Sequence, residues 1–510
     1  MIEKLAEQLA EAGVKEAFGV SGSGPTWKVI TAMEKRGVRY YAAGHEGAGA
    51  IMAGAAGKAG DRLGASLSIK GPGLANMAAG IAYNHFENLP VVSLSEAYSP
   101  NDPPSRMHKR MDQETFLRPL VKASIPLDQA CAELPAWVDL ARAEVPGPLH
   151  INLANGVTTA KPAADAISRN TDDWQRALDL VTTAKRPVII AGAWASGQKW
   201  APALNDLQTP VFTTAAAKGL VDENRPHCAG LFTGAGKKLA PEVEILREAD
   251  LVIALGLRNL EILGVKPFAC STIFIDDVFG ATISGLDPKL QLKPAEGDVE
   301  SIFARVNKWG VDLVALRFEA LRDEYAKMGW LPWTCFEALN SWEMDHALVV
   351  DTGSFCTLAE HAWIASTRRP FFGSSNGRFM GGGIPSAIGA AIGAPGRAIV
   401  CATGDGGMRM YPGEIKIAVA ESLPICFTLM RDGCYSSIAC ATADPMSRRA
   451  VDLPNPSWRR VIEGMGCPAV EVKSRDEFDA AVRGWDAKGP LFVEAIFDPA
   501  HYLQCTKDLR

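Results

Sequence analysis

Short, almost uninterrupted apolar runs alternate along this chain with longer stretches in which apolar residues recur every three or four positions. Up to residue 157 the runs are EAFGV, VRYYAAG, GASLSI, PVVSLSEA and GPLHINLA. Each predicts a strand buried on both faces, and the stretches between them predict amphipathic helices. A strand–helix–strand alternation of this kind implies a parallel sheet wrapped by helices. The stretch TTAKPAADAISRNTDD, 158–173, is polar and rich in small residues, and reads as a linker. A second unit, 174–298, carries RPVIIAGA, PVFTTAA, ADLVIALG and STIFIDD. Charged, helix-favouring sequence over 299–328 leads to a third, 325–510, with HALVVDTG, RAIVCATGDG, PICFTLMRDG, PAVEV and PLFVEAIFD. The expected fold class is α/β: three α/β domains with parallel sheets.

Composition agrees and narrows the partners. The 510 residues exceed what one hydrophobic core serves, and 47% hydrophobic with 22% charged residues is the profile of a globular α/β chain. A net charge of −6 without long runs of one sign argues against a nucleic-acid surface and leaves small molecules as the expected ligands. MIEKLAEQLAEAG has apolar residues at helical spacing among charges, so it reads as an amphipathic helix and not a signal peptide. No stretch is long and apolar enough to span a bilayer. The eleven cysteines are scattered without a CxxC pair. They read as free thiols in a reducing cytoplasm.

The candidate chemistry begins at RAIVCATGDGG. A buried strand runs straight into glycines, the setting in which a parallel sheet presents its carboxyl edge to a ligand. Asp405 sits at that edge, and Gly404, Gly406 and Gly407 let backbone N–H groups approach a phosphate. The next strand, PICFTLM, ends at Arg431, Asp432 and Gly433, so a second carboxylate reaches the same edge. Two carboxylates, a backbone carbonyl and phosphate oxygens make a site of the kind Mg²⁺ prefers. Taken singly, either aspartate reads equally as a turn cap.

Together these residues resemble the diphosphate-binding motif of thiamine-diphosphate (ThDP) enzymes. By that resemblance Asp405 and Asp432 hold Mg²⁺, with the carbonyl of Cys434 as a third protein ligand and Tyr435 beside the cofactor. The family usually has Asn-Asn where this chain has Arg431-Asp432, which adds a negative charge that Arg431 is expected to offset. The resemblance extends to YYAAGHEGAGAIMAGAAGKAG, similar to the family's helix bearing the carboxylate that meets the aminopyrimidine ring. It places Glu46 in that role, in a largely dry pocket. Otherwise Glu46 is an acid at a helix start, favoured by the dipole. IKGPGLANMAAGIAYNHFENLPVV is similar to the segment that encloses the ring, and VVDTGSF to the strand end that meets the diphosphate, with Gly353 and Ser354 as candidates. In NGRFMGGGIPSAIGAAIGA, Met380 falls where the family has an apolar prop for the bent cofactor, although alone it reads as core filler.

The resemblance covers the whole chain in order: a pyrimidine-binding domain (1–157), a Rossmann-like middle domain (174–298) and a diphosphate-binding domain (325–510). It is strongest to the acetolactate synthase, benzoylformate decarboxylase and pyruvate decarboxylase group. It implies a homodimer or homotetramer with active sites between subunits. It also implies a lyase or carboligase acting on a 2-oxo acid or related acyl donor. Carboligation of the acetolactate synthase type is preferred, because the paired histidines of pyruvate decarboxylases are absent. Simple decarboxylation is the alternative, and a catalytically silent cofactor-binding homologue stands behind both. Three residues are singled out for the substrate. Ser23, in FGVSGSGPTW, falls where benzoylformate decarboxylase-like members use a serine. Lys70 and His108, with Lys109 and Arg110, form a basic set suited to an anionic substrate, or a solvated surface. FAD is not expected in the middle domain, since IAGAWASGQKW lacks the GxGxxG fingerprint.

Overall fold

In a computed structural model of the chain, three mainly parallel sheets follow one another. The described residues are 1–510 without 23, 100, 104, 106, 107, 165, 259, 260, 262, 265, 266, 279–289 and 441–447. The first sheet holds β1 (Glu16–Gly19), β2 (Arg39–Ala42), β3 (Gly64–Ser68), β4 (Val91–Ser95), β5 (Ala123–Pro126), β6 (Leu149–Asn152) and β7 (Thr159–Ala160), in the order β2-β1-β3-β4-β6-β5-β7. The second holds β8 (Pro187–Ala191), β9 (Val211–Thr213), β10 (Cys228–Leu231), β11 (Leu251–Leu255), β12 (Ser271–Ile275) and β13 (Leu290–Leu292), in the order β10-β9-β8-β11-β12-β13. The third holds β14 (His346–Val350), β15 (Phe371–Gly373), β16 (Ala398–Gly404), β17 (Ile425–Arg431), β18 (Ala469–Val472) and β19 (Leu491–Ile496), in the order β15-β14-β16-β17-β19-β18. Among these pairings only β5–β7 is antiparallel.

Every apolar run named above lies on a strand. Five strands were not among them: β5, β7, β10, β13 and β15, each of two to four residues and without an apolar run that stands out from its surroundings. The expected linker at 158–173 is not wholly a connector, because Thr159–Ala160 pairs with Ala123–Ser124 and closes the first sheet. The charged 299–328 region holds the helices Asp298–Phe303 and Val311–Lys327.

One seam joins the first and third units. The helices Glu46–Gly60 and Gly383–Gly393 are built almost wholly of Gly, Ala, Ile and Met, and they lie in one core with β16 and β17. Their backbones nearly touch, since a Cβ at Gly389 would stand 2.3 Å from the Met52 carbonyl oxygen. Only small residues permit such an approach, and the flanking Ile51, Met52, Ile384 and Ile388 are fully buried. At about 1.5–3 kcal/mol for each large apolar side chain removed from water, the seam is a major contributor to cohesion between the two units. It also fixes the helix that starts at Glu46 against the third sheet. No helix of the described residues is long and apolar enough to cross a membrane.

Candidate active site

Register places the two aspartates side by side. β16 and β17 are parallel neighbours aligned Gly404 to Met430, so the residues following each strand emerge at one edge. Asp405 is 2% exposed and Asp432 6%. The Oδ2 of Asp405 accepts the N–H groups of Asp432 and Gly433, each at 2.9 Å, and its Oδ1 accepts from the Asn455 amide. Asp432 Oδ2 accepts from the Ser436 hydroxyl at 2.5 Å and the Cys434 thiol at 3.1 Å. Burial, reinforced by the Asp432 charge, pushes the Asp405 carboxyl up to about 7. Among the described residues neither carboxylate has an ion-pair partner.

Arg431 does not supply the expected offsetting charge. Successive strand residues face opposite ways, and Arg431 ion-pairs with the buried Glu494 at 2.6 Å. Two buried acids meeting without a protein cation fit a divalent ion. Among the described residues no three His, Cys, Asp or Glu side chains cluster into a metal cage. A hard cation that keeps water and phosphate oxygens needs only a few protein ligands, so the donor set matches Mg²⁺.

The glycines of this edge are packed until no side chain fits. A Cβ at Gly406 would lie 2.5 Å from the Tyr435 ring and 2.7 Å from Met380 Sδ, and one at Gly407 would lie 2.1 Å from Asp351 Oδ2. Phe355 closes over Gly353 and Gly404 together, its Cε1 standing 2.5 and 2.8 Å from their Cβ positions. Gly353 precedes the helix Ser354–Ala362, whose first residue is Ser354. Gly353, Ser354, Met380, Gly404, Asp405, Gly406, Gly407, Asp432, Cys434 and Tyr435 thus belong to one neighbourhood at the carboxyl ends of β14, β16 and β17. Its small residues and the helix starts at Ser354 and Asp405 suit an anion.

Asp351 organises this edge and was not singled out in the sequence. It is 2% exposed, accepts from the N–H of Gly381 at 2.9 Å and the hydroxyl of Thr403 at 3.1 Å, and is pushed up to about 6 by burial. Its signal was available, since it follows a buried strand just as Asp405 does. Asn455, on a distant loop, gives no comparable signal.

Glu46 opens the helix Glu46–Gly60, where the side chain of His45 accepts the N–H of Gly47. It is 8% exposed, and its Oε2 accepts from the Asn76 amide at 3.1 Å. Among the described residues no hydrogen bond or ion pair joins Glu46 to the Asp405 neighbourhood of the same chain. The segment 70–76 around it is held by Gln113, whose Oε1 accepts the N–H of Gly71 while its amide donates to Ser95, the Glu96 carbonyl and Asn152.

The basic set is assembled differently from a free rim. Lys70 pairs with Glu96 at 3.0 Å, and its ammonium stands 5.4 Å from the Tyr98 ring centre. Arg110 also stacks on Tyr98, at 5.0 Å, and donates to the Pro103 carbonyl at 2.9 Å. His108 is exposed and accepts, through its carbonyl, from the Tyr98 hydroxyl at 2.7 Å. Ser23 lies outside the described residues, but nearby Thr26 meets Glu96: its hydroxyl donates to Glu96 at 2.9 Å and accepts the N–H of Gly22 at 3.2 Å. Against the upward push of burial, Lys70 and Thr26 hold the Glu96 carboxyl below its ordinary range.

In the middle unit an internal acid occupies the corresponding strand ends. Glu261 accepts the N–H groups of Ala193, after β8, and Arg258, after β11, and the hydroxyl of Thr214. These are donors of the kind a dinucleotide phosphate uses, and a carboxylate already holds them. The residues therefore do not fit FAD bound in that manner.

Comparison with known proteins agrees with this layout. Residues 2–116, 174–277 and 351–495 match the N-terminal TPP binding, central and C-terminal TPP binding domains of thiamine pyrophosphate enzymes. The acetolactate synthase of Bacillus subtilis is 26% identical over 99% of this chain and 94% of its own. A probable 2-ketoarginine decarboxylase of Pseudomonas aeruginosa is 26% identical over 96% and 93%. The catabolic acetolactate synthase of Raoultella terrigena is 26% identical over 97% and 94%. With all three domains matched in order, the chain belongs to the thiamine pyrophosphate enzymes, as a ThDP-dependent decarboxylase or carboligase.

Proposed function

We propose that the chain is a Mg²⁺- and ThDP-dependent, non-oxidative C–C lyase and carboligase of the acetolactate synthase kind, acting on a 2-oxo acid or related acyl donor. The observation that carries the reading is the buried pair Asp405 and Asp432, which share one sheet edge with no protein cation between them. Likeness to two acetolactate synthases over nearly the whole chain supports the choice of reaction.

In this reading Asp405, Asp432 and the carbonyl of Cys434 hold Mg²⁺. Gly353, Ser354, Gly404, Gly406, Gly407 and Tyr435 receive the diphosphate, and Met380 props the cofactor. Glu46, in its buried position, exchanges a proton with the aminopyrimidine ring. When bound, ThDP supplies the nucleophilic carbon and the electron sink for cleavage next to a carbonyl. Ser23, Lys70 and His108 face the substrate, with Lys70 tuned by Glu96. The lack of any bond between Glu46 and the Asp405 edge within one chain suits sites completed between subunits of a homodimer or homotetramer. The domain limits are 1–157, 174–298 and 325–510, FAD has no part, and the eleven free cysteines suit the cytoplasm.

Simple decarboxylation is the second reading, favoured by the equally similar 2-ketoarginine decarboxylase relative. Purified protein loaded with ThDP and Mg²⁺ and given a panel of 2-oxo acids separates the two. A carboligase yields CO₂ with a condensed hydroxy-keto product, and a decarboxylase yields CO₂ with the aldehyde. Cofactor binding with no CO₂ or product from any acid would overturn both and leave a silent homologue.

A further inference from the structure

Two acids, one from each end unit, reach into the other unit and take backbone N–H groups beside a residue assigned to the cofactor. Glu414 ends the turn Pro412–Glu414 that follows the Gly-Asp-Gly-Gly segment, and it is 2% exposed. Its Oε2 accepts the N–H of Gly44 at 3.0 Å, and the backbone of Gly44 and His45 works against the upward push that burial gives its carboxyl. A Cβ at Gly44 would press on Glu414 Oε1 at 3.1 Å. Tyr411, from the same turn, lies with its ring centre 5.3 Å from that of His45, and its hydroxyl is 3.2 Å from the Cβ position of Gly47. Residues on both sides of Glu46 are therefore held by one turn of the third unit.

Glu87 makes the reverse contact. It follows the helix Pro72–Phe86 of the first unit and accepts the N–H groups of Ser375 (3.0 Å), Asn376 (3.2 Å) and Gly377 (2.9 Å), with the Ser374 hydroxyl at 3.0 Å. The Ser374 oxygen in turn accepts the N–H of Phe379 at 2.6 Å, so the grip reaches the residue before Met380. Neither acid has an ion-pair partner within 4 Å among the described residues, and the more distant Lys58 charge offsets only part of the burial of Glu87. Holding a carboxylate in a desolvated place on backbone donors costs stability that a neutral, well-packed residue would not, so cohesion alone does not account for the pair.

We propose that both are positioning residues: Glu414 fixes the backbone that carries Glu46, and Glu87 fixes the loop that carries Met380. The proposal rests on the reading above, in which Glu46 and Met380 face the cofactor. The two grips act on different parts of the cofactor site, one on the group that meets the aminopyrimidine ring and one on the prop, and this makes their effects separable. Loss of the first misplaces a proton-exchanging group without touching the diphosphate edge. Loss of the second loosens the prop and weakens binding.

The test compares Glu414→Ala, Glu414→Gln, Glu87→Ala and Glu87→Gln in the full-length protein. Arg39→Gln is the control, because it removes a different bond between the same units, to Glu421 at 2.6 Å on an exposed edge. Amide exchange by mass spectrometry is measured without cofactor, ThDP affinity by tryptophan fluorescence with Mg²⁺, and turnover as kcat and KM. Glu414→Ala is expected to speed exchange in residues 40–52 and lower kcat by about 10²-fold, the scale of a misplacement near 1 Å, with KM and ThDP affinity little changed. Glu414→Gln, which keeps an acceptor oxygen, is expected to recover most of that loss. Glu87→Ala is expected to speed exchange in 372–382 and weaken ThDP binding about tenfold, near one lost hydrogen-bonded anchor, while 40–52 is unchanged; Glu87→Gln is expected to lie between it and the parent. The proposal is overturned if Glu414→Ala lowers kcat no more than Arg39→Gln does. It is also overturned if each alanine variant loosens both segments together. Full turnover in Glu46→Gln would instead overturn the reading of Glu46, and with it the role given to Glu414.

Discussion

The Oδ2 of Asp405 accepts the N–H of Asp432 at 2.9 Å, which fastens the carboxylate after one strand to the turn after its neighbour. The two acids are therefore held as a unit, as the proposed cation site requires. Replacing Asp405 with Asn removes a charged ligand and an acceptor for these N–H groups. ThDP affinity in Mg²⁺ should fall at least about 100-fold, near 3 kcal/mol by calorimetry. Asp432→Asn restores the residue usual in the family, and its affinity should stay within about threefold of the parent, a shift below 1 kcal/mol. Tight binding by Asp405→Asn would remove the aspartate from the metal role.

Glu46→Gln keeps the size of the side chain and one oxygen to accept from Asn76, while losing the proton exchange. Cofactor binding should remain close to that of the parent. Turnover should fall by about 10²–10⁴, the usual worth of a positioned acid–base group. A variant that binds ThDP and turns over normally would exclude Glu46 from the reaction.

Gly406→Ala tests the packed edge. The new methyl would stand 2.5 Å from the Tyr435 ring and 2.7 Å from Met380 Sδ, so both side chains must shift. Overpacking of this kind costs about 1–3 kcal/mol, and the displaced residues are those assigned to the cofactor. The expected result is weaker ThDP binding with a modest loss of melting temperature. An unchanged affinity would place Met380 and Tyr435 away from the ligand.

Lys70 is tied to Glu96, which is 3% exposed, so its removal leaves a buried carboxylate supported, among the described residues, by Thr26. Because Lys70 itself is partly exposed, Lys70→Ser should destabilise by about 1–2 kcal/mol, short of the loss for a fully buried pair. Adding Glu96→Gln should recover most of that in denaturant unfolding. If Lys70 faces the substrate, the single variant raises KM for a dicarboxylic 2-oxo acid more than for a neutral one. Equal effects on both would remove it from substrate recognition.

Glu261 gives a pH dependence. Burial raises its carboxyl from 4.5 to about 7. The folded chain then binds a proton that the unfolded chain has already released, so this stability is present below about pH 4.5 and is lost as pH rises to 7. At 1.36 kcal/mol per pKa unit the loss reaches about 3 kcal/mol. Glu261→Gln, which does not ionise, should narrow the difference in unfolding free energy between pH 5 and pH 8. An unaltered difference would show that other groups dominate.

The reading from sequence was strongest where a local pattern has one structural outcome. Buried apolar runs became parallel strands, and glycines after RAIVCAT became a packed turn because a strand end facing a ligand leaves no room for side chains. It missed β5, β7, β10, β13 and β15, strands of two to four residues that show no distinct apolar run and pair along an edge that a neighbouring strand offers. It also did not foresee the charge partners: Arg431, expected to offset Asp432, pairs with the buried Glu494, and Lys70 pairs with the buried Glu96, each from a separate part of the chain.

The sequence by itself determined the three α/β units, the family, and the residue types gathered at the Gly-Asp-Gly edge, because strand burial and glycine turns are local consequences of side-chain size and polarity. Only the tertiary structure decided which charges cancel, that Asp351 and Asn455 brace the edge, and that Glu414 and Glu87 clasp the units across their seam. Those outcomes depend on distances between residues tens to hundreds of positions apart, and such distances are set by sheet register and helix packing.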